Sequence, residues 1–163
     1  MPRPRGKSVF THCSVDANHT GDKTTRRSMT GILIFCNRDP ITWHSKKKKV
    51  VETSTFGSEF TAMKKSVDLI AALRYKLKMF GVPIYGSTPI FCDNEAVYKN
   101  VSTPASQLRK KHHSILYHMS TEAVTSGACR MAKEDTETNL SYLFTKMLPR
   151  PRREFFWTVS LIE

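Results

Sequence analysis

Long apolar runs are missing from this 163-residue sequence. The longest, Ile32 to Cys36 and Leu69 to Leu73, fall far short of the roughly 20 apolar residues that a membrane-spanning helix needs. The amino-terminal residues are basic but contain no apolar segment of the kind found in a signal peptide. We therefore expect an intracellular protein, cytoplasmic or nuclear, with no membrane partner.

Paired cysteines are also missing. The four cysteines are scattered and no CxxC pair occurs, so there is nothing on which a zinc ribbon could be built. We expect them to be buried, reduced thiols, as in other intracellular proteins.

Acidic residues are few. Fourteen Asp and Glu stand against twenty-six Lys and Arg, which gives a formal net charge of +12 and an isoelectric point near 9.8. Such a surplus favours polyanionic partners, nucleic acid above all, because each phosphate contact releases condensed counterions.

The length fits one domain with short tails. Stretches rich in Pro and Arg predict an amino-terminal tail over residues 1–8, a domain over residues 9–148 and a basic and apolar tail over residues 149–163. Turn residues and periodicity predict the order β β β α β α α β α, a mixed sheet covered by helices. The predicted strands are residues 9–17, 31–36, 41–43, 89–92 and 128–132, and the predicted helices are residues 54–80, 95–101, 112–124 and 139–146.

Two of the predicted strands end in the same way: apolar residues are followed by Asp16 in one strand and by Asp93 in the other. If these strands are parallel neighbours, both carboxylates emerge at the same edge of the sheet. Glu59, in the first turn of the long helix, can reach the same point. Three carboxylates suit Mg²⁺, and such sites hydrolyse phosphodiesters. On spacing alone, however, an aspartate at a strand end is more often a cap or a turn former.

Several motifs resemble, in order, those of one known family. They cover roughly residues 9–153 and are residues 15–17 (VDA), 21–22 (GD), 26–31 (RRSMTG), 40–43 (PITW), 45–46 (SK), 51–63 (VETSTFGSEFTAM), 91–94 (FCDN), 111–112 (KH), 117–118 (YH), 139–140 (NL) and 145–146 (TK). The sequence is similar to the ribonuclease H domain of copia-type LTR retrotransposon Pol polyproteins.

The resemblance implies a ribonuclease H-like α/β fold, a five-stranded mixed sheet flanked by helices. It implies endonucleolytic hydrolysis of the RNA strand of RNA–DNA hybrids with Mg²⁺ or Mn²⁺, in a polyprotein that also contains reverse transcriptase and integrase. Three of the family's four carboxylates match Asp16, Glu59 and Asp93, which are therefore the expected catalytic and metal-binding residues. Tyr142 occupies the fourth position, where a neutral phenol cannot offset the charge of a second metal ion as a carboxylate does.

Two basic runs suggest a nucleic-acid surface, although a charge run is often only a solvated face. The expected nucleic-acid-binding residues are Lys46, Lys47, Lys48, Lys49, Asn94, Arg109, Lys110 and Lys111. Contacts there should be to phosphates and 2′-hydroxyls, since a hybrid is recognised by shape. Trp43 can stack on a base, but a tryptophan in a strand is more often core. His112 and His118 match family positions, and we expect structural or hydrogen-bonding roles for them.

Three hypotheses follow from Tyr142 and the basic charge. The first is a hybrid-specific endonuclease that retains three metal ligands. The second is a relic of the same fold that binds nucleic acid without cleaving it. The third is an unselected fragment that folds poorly, which an uncooperative thermal melt would reveal.

We predict that the affinity for an RNA–DNA hybrid falls steeply with salt. With about six phosphates contacted, the loss should be about 10³-fold between about 50 and 200 mM salt, because neutralised phosphates release counterions. Fluorescence anisotropy of a labelled hybrid across a salt series measures the slope. A flat response would mean that the excess of positive charge has no role in binding.

Overall fold

The computed structural model describes residues 3, 6–19, 21, 24–49, 54–102 and 111–162, with side chains except those of 100–102, 111–116, 157 and 159–162. In chain order, its elements are β1 (Thr11–Asn18), β2 (Met29–Cys36), β3 (Asp39–Lys47), α1 (Thr55–Met79), β4 (Thr88–Cys92), α2 (Glu95–Ser102), α3 (Lys111–Thr125), β5 (Cys129–Lys133), a 3₁₀ helix (Leu140–Phe144) and α4 (Arg150–Ile162). The five strands form one sheet in the order β3-β2-β1-β4-β5. The predicted five-stranded mixed sheet flanked by helices is confirmed.

Strand β1 lies at the centre of the sheet and has a different kind of neighbour on each side. It pairs antiparallel with β2 along its whole length, and parallel with β4 through Cys13–Ile90 and Ser14–Phe91. The parallel pair places Asp16 of β1 and Asp93, directly after β4, at the same edge of the sheet. Asp16 lies within β1, two residues before its end, and not at the strand end that the sequence indicated.

Helix α1 covers one face of the sheet and begins where the sequence predicts. The Ser54 side chain caps the helix by accepting a hydrogen bond of 3.1 Å from the Gly57 backbone N–H. The helix ends before Gly81, whose φ of 74° is a conformation that glycine adopts at no steric cost. The buried stripe of α1 packs against alternate residues of β1, and its members include Phe60, Met63, Val67 and Ile70.

The 3₁₀ helix covers the opposite face and is held to the sheet by a buried asparagine. Asn139 caps it by accepting from the Ser141 backbone N–H at 3.1 Å, and donates to the Val15 carbonyl oxygen at 3.0 Å. Gly31 of β2 permits this close approach, since a Cβ there would lie 2.7 Å from the Ser141 carbonyl oxygen. The short helix predicted over residues 139–146 is thus present as a tighter 3₁₀ segment.

Helix α4 occupies the segment for which the sequence predicted a tail. It packs against the 3₁₀ helix and β3, and the Phe156 ring is fully buried while the neighbouring Phe155 is 54% exposed. Arg152 lies over the Phe156 ring, 5.7 Å from its centre. Residues 150–162 are therefore helical and contribute to the packed structure. The domain boundaries at residues 9 and 148 stay a prediction.

Two other expectations from the sequence can be compared with the structure. All four cysteines are free thiols, as predicted; Cys13, Cys92 and Cys129 are buried as expected, whereas Cys36 is only partly buried. Trp43 is 67% exposed on β3, an edge strand, so of the two alternatives left open by the sequence the core position is wrong. Within the described residues, none of the helices combines the length and the apolar character needed to span a bilayer.

We predict that Phe156→Ala destabilises the protein by about 3 to 5 kcal/mol, because it leaves a cavity beneath α4. Phe155→Ala on the same helix is the matched control and should cost far less. Chemical denaturation of both variants measures the two free energies of unfolding. Equal effects would mean that α4 is not docked as described.

Candidate metal centre

Three carboxylates from three elements meet at one edge of the sheet. Asp16 comes from β1, Glu59 from the second turn of α1 and Asp93 from the residue after β4. Each offers an oxygen, and these oxygens all lie within 4.8 Å of one another. Asp16 and Glu59 are buried and Asp93 is half-buried. The structure thus brings together the three residues that the sequence proposed as metal ligands, while their role stays a prediction.

Asp16 is held by a threonine that follows the 3₁₀ helix. The Thr145 hydroxyl donates a hydrogen bond to Asp16 Oδ2, and the Asn18 side chain holds the Thr145 carbonyl oxygen at 3.1 Å. Burial raises the pKa of Asp16, and the bond from Thr145 and the positive charge of Lys146 oppose that rise. The negative charge of Asp93 raises the pKa further.

Glu59 is the most strongly perturbed acid of the cluster. Burial raises its pKa to about 9, and the charges of Asp16 and Asp93 add to the shift. The charge of Lys146 and hydrogen bonding to the Ala17 backbone oppose it. Without a cation, therefore, Glu59 holds a proton at neutral pH, because a third negative charge here is too costly.

Asp93 is bonded to Tyr142, the residue that the resemblance places at the family's fourth carboxylate position. The Tyr142 hydroxyl donates to Asp93 Oδ2, and the Tyr142 side chain is buried. Burial, together with the hydrogen bond to Asp93, raises the pKa of Tyr142, so the phenol is neutral. The other carboxylate oxygen, Asp93 Oδ1, is buried and has no hydrogen-bond partner.

A lysine adds positive charge beside the cluster. The Lys146 ammonium lies 3.4 Å from the centre of the Tyr142 ring, a cation–π contact. Its charge lowers the pKa values of both Asp16 and Glu59, against the larger effect of burial. The cluster thus has a resident cation on the side where the 3₁₀ helix lies.

The residues present fit one divalent ion. Three carboxylates are the hard oxygen donors that Mg²⁺ or Mn²⁺ prefers, and the unpartnered Asp93 Oδ1 is an orphan that such an ion would satisfy. They do not fit a second ion at the family's fourth position. Tyr142, which the resemblance assigns to that position, is a buried neutral ring whose hydroxyl acts as a donor to Asp93.

Glu134 is the nearest alternative source of a fourth carboxylate. It follows β5 directly and lines, with Asp93, an open cavity of about 500 Å³. Glu134 Oε2 is buried without a hydrogen-bond partner, and burial raises the Glu134 pKa. Among the described residues, however, the group whose oxygens lie within 4.8 Å of one another comprises only the other three acids.

A basic groove of about 260 Å³ lies between the end of β3 and α1. Its lining residues are Thr30, His44, Lys46, Lys47, Lys48, Lys49, Thr61 and Lys65. Lys48 Nζ donates to the Ser58 carbonyl oxygen at 2.8 Å, which ties the groove to the residue before Glu59. Burial and the charges of Lys65 and Lys46 lower the pKa of His44, so its ring is neutral at physiological pH.

Of the remaining predicted nucleic-acid-binding residues, Asn94 is the one whose side chain the structure describes. The Asn94 side chain caps α2, accepting from the backbone N–H groups of Ala96 and Val97 at 3.0 and 3.2 Å. Arg109 and Lys110 lie outside the described residues, as do the side chains of Lys111 and His112. His118 lies on α3, its ring 5.4 Å from that of Tyr117.

Four contributors to the site were not proposed from the sequence. Thr145 and Lys146 were recognised only as part of a motif, and Lys65 and His44 were not considered. Thr61 and Lys65 are four residues apart on α1 and so share one face of the helix. That polar spacing beside the lysine run was the available signal for the groove.

Comparison with curated proteins finds retrovirus-related Pol polyproteins of transposons. The one from transposon RE1 of Arabidopsis thaliana is 30% identical over 146 residues, or 90% of this chain. The one from transposon TNT 1-94 of Nicotiana tabacum is 28% identical over 139 residues, or 85% of this chain. The chain spans about a tenth of the length of these relatives. No protein-family model matches it.

Solved structures with a similar fold are ribonucleases H and a viral reverse transcriptase. RNase H1 from the archaeon Halobacterium salinarum NRC-1 has a TM-score of 0.60 at 11% identity, covering 83% of this chain and 94% of that one. LC11-RNase H1 in complex with an RNA/DNA hybrid has a TM-score of 0.58 at 10% identity, covering 85% and 94%. The foamy viral protease-reverse transcriptase in complex with an RNA/DNA hybrid has a TM-score of 0.55 at 13% identity, covering 88% of this chain and 21% of that one.

Together these comparisons confirm two predictions from the sequence. The homologues are retrovirus-related Pol polyproteins from transposons, and the fold is ribonuclease H-like. The finer assignment to copia-type elements stays a prediction.

We predict that Glu59→Gln stabilises the metal-free protein, increasingly so from about pH 4.5 to about pH 9. The pKa of Glu59 is raised in the folded state, so its contribution to stability is complete below its ordinary pKa of 4.5. That contribution is lost as the pH rises through about 9. Gln mimics the protonated acid and avoids the loss.

Denaturant unfolding in EDTA at pH 5, 7 and 9 gives the difference between variant and parent. The exposed Glu122→Gln is the control and should show no such trend. A Glu59→Gln variant that is less stable than the parent at pH 9 would contradict the prediction.

Proposed function

Proceeding from a ribonuclease H-like fold shared with segments of transposon Pol polyproteins, we propose that this domain hydrolyses the RNA strand of RNA–DNA hybrids. The single observation that carries the proposal is the cluster of Asp16, Glu59 and Asp93, whose oxygens lie within 4.8 Å of one another. Mg²⁺ or Mn²⁺ is the proposed cofactor, because both ions prefer oxygen ligands. The proposed setting is a polyprotein that also carries reverse transcriptase and integrase.

The chain's own residues would orient the ion and the reacting phosphate. Asp16, Glu59 and Asp93 would hold the metal, with Thr145 fixing the rotamer of Asp16 and Tyr142 that of Asp93. A bound divalent ion supplies Lewis-acid polarisation of the phosphate and an acidified water. Glu59 would give up its proton when the ion binds, since the cation removes the repulsion that keeps it protonated.

The basic groove would hold the hybrid so that one phosphate reaches the carboxylates. Lys46, Lys48 and Lys65 offer charge along it, and Thr61 offers a hydroxyl. Lys48 also bonds the Ser58 carbonyl oxygen, so the groove starts beside Glu59. These groups suit contacts to backbone phosphates and carry no means of reading bases.

The alternative function is hybrid binding without cleavage. The hydrogen bond from Tyr142 to Asp93 favours it, because that bond occupies one lone pair of a proposed ligand and a buried ring stands where the family has a fourth carboxylate. The basic groove would be retained in either case.

We expect the protein to cleave a labelled RNA–DNA hybrid in Mg²⁺ or Mn²⁺, and Asp16→Asn to abolish cleavage by removing a charged metal ligand. Gel analysis of the RNA strand measures both. Binding of the hybrid by the parent protein, with no cutting in either metal, would support the alternative function.

We further predict that Tyr142→Asp raises the cleavage rate about tenfold, the size of effect typical of groups that tune a metal site. The new carboxylate would add negative charge at the fourth position. Tyr142→Asn is the matched control, since it removes the ring without supplying a charge. An equal rate in the two variants, both folded, would contradict the prediction.

A further inference from the structure

Residues 142–146 connect the carboxylate cluster to a nearby positive charge. Tyr142 donates to Asp93, Thr145 donates to Asp16, and Lys146 rests on the Tyr142 ring, 3.4 Å from its centre. Two carboxylates and one ammonium are thus tied to the same five-residue segment. The aromatic ring acts as a platform that holds the ammonium beside the carboxylates.

The net charge of the site indicates how many metal ions it can hold. The three clustered carboxylates carry three negative charges when ionised. One divalent ion and the Lys146 ammonium together carry three positive charges, so the cluster is neutral with a single ion bound. A second divalent ion would leave an excess of positive charge in a buried site, which is costly without further anionic ligands.

We propose that this site takes one divalent ion, and that Lys146, held on the Tyr142 ring, serves as the second cation. The inference rests on the proposed metal-binding role of the three carboxylates. It makes Lys146 a positioning and charge-balancing residue, acting through Asp16 and Glu59. It also makes Tyr142 the residue that determines the number of ions.

The buried position of Tyr142 supports this assignment. Its side chain is 3% exposed, so the ring cannot leave without opening the contact between the 3₁₀ helix and the sheet. Asn139 and Gly31 fix that contact, through the bond to the Val15 carbonyl oxygen and through the close backbone approach. The ring is therefore part of the folded structure, and the ammonium of the exposed Lys146 rests on it.

The first test counts the ions in the protein without nucleic acid. Titration with Mn²⁺, followed by electron paramagnetic resonance of the free ion, should give one bound ion per chain. In Tyr142→Asp it should give two, because the platform is lost and a fourth carboxylate is gained. In Glu134→Gln the number of bound ions should remain one per chain.

The second test removes the resident charge. Lys146→Met should bind the first Mn²⁺ about tenfold more tightly, since a nearby like charge is gone. It should also lower the melting temperature in EDTA, because the carboxylates lose their counterion. Lys146→Arg should have the Mn²⁺ affinity and the melting temperature of the parent protein, because a guanidinium is also charged and also stacks on an aromatic ring. Lys76→Met, which removes an exposed charge at the far end of α1, should change neither.

The outcomes separate this inference from the proposed function. Two ions in the parent protein, the second lost in Glu134→Gln, would overturn the inference and leave a metal-dependent nuclease intact. Unchanged Mn²⁺ affinity in Lys146→Met would also overturn it, even if Tyr142→Asp failed to fold. No Mn²⁺ binding at all, with no hybrid cleavage, would overturn the proposed function and the inference together.

Discussion

Parallel pairing of β1 with β4 requires the chain to cross the sheet between the two strands, and that crossover is α1. The same pairing puts Asp16 and Asp93 at one edge of the sheet. Because α1 must start at that edge to run back over the core, its second turn brings Glu59 to the two aspartates. One topological constraint therefore assembles all three carboxylates, and the buried stripe of α1 holds them there.

The three clustered carboxylates repel one another when they are ionised, and this repulsion destabilises the fold. Burial raises the pKa values of Asp16 and Glu59, and the mutual repulsion of the acids adds to both shifts. Two kinds of group oppose this destabilisation: hydroxyl donors, from Thr145 and Tyr142, and the ammonium of Lys146. All three belong to the segment around the 3₁₀ helix. A proton on Glu59 and a bound divalent ion are the alternative ways of removing the remaining repulsion.

Close packing on the second face of the sheet keeps that segment in place. Gly31 has no Cβ, so the Ser141 backbone can lie directly on β2, and the buried Asn139 bonds both the 3₁₀ helix and β1. Helix α4 then covers the segment from outside through Phe156. Tyr142 fits this fold because its ring is buried and its hydroxyl finds an acceptor in Asp93.

Periodicity and turn residues in the sequence were sufficient to predict the strands, α1 and the meeting of Asp16 with Asp93, because those features depend on local pattern and on parallel order. The position of Glu59 near the start of α1 also allowed it to be placed with the two aspartates, and the resemblance added the anomaly at Tyr142. The sequence analysis assigned residues 149–163 to a tail because the segment begins with Pro and Arg, and the packing of α4 depends on the 3₁₀ helix and β3. The sequence could not reveal that Trp43 is exposed, because only the strand order makes β3 an edge.

The contacts that tune the site were decided by tertiary structure alone. Thr145 on Asp16 and Tyr142 on Asp93 join residues far apart in the chain, so no local pattern encodes them. The charge of Lys146 influences Asp16 and Glu59 only because the 3₁₀ helix docks beside Gly31. Sequence by itself determined which acids are present and which one is missing. Folding decided the surroundings of Tyr142: its ring is buried, its hydroxyl donates to Asp93 and the Lys146 ammonium rests on the ring, because the 3₁₀ helix docks against the sheet.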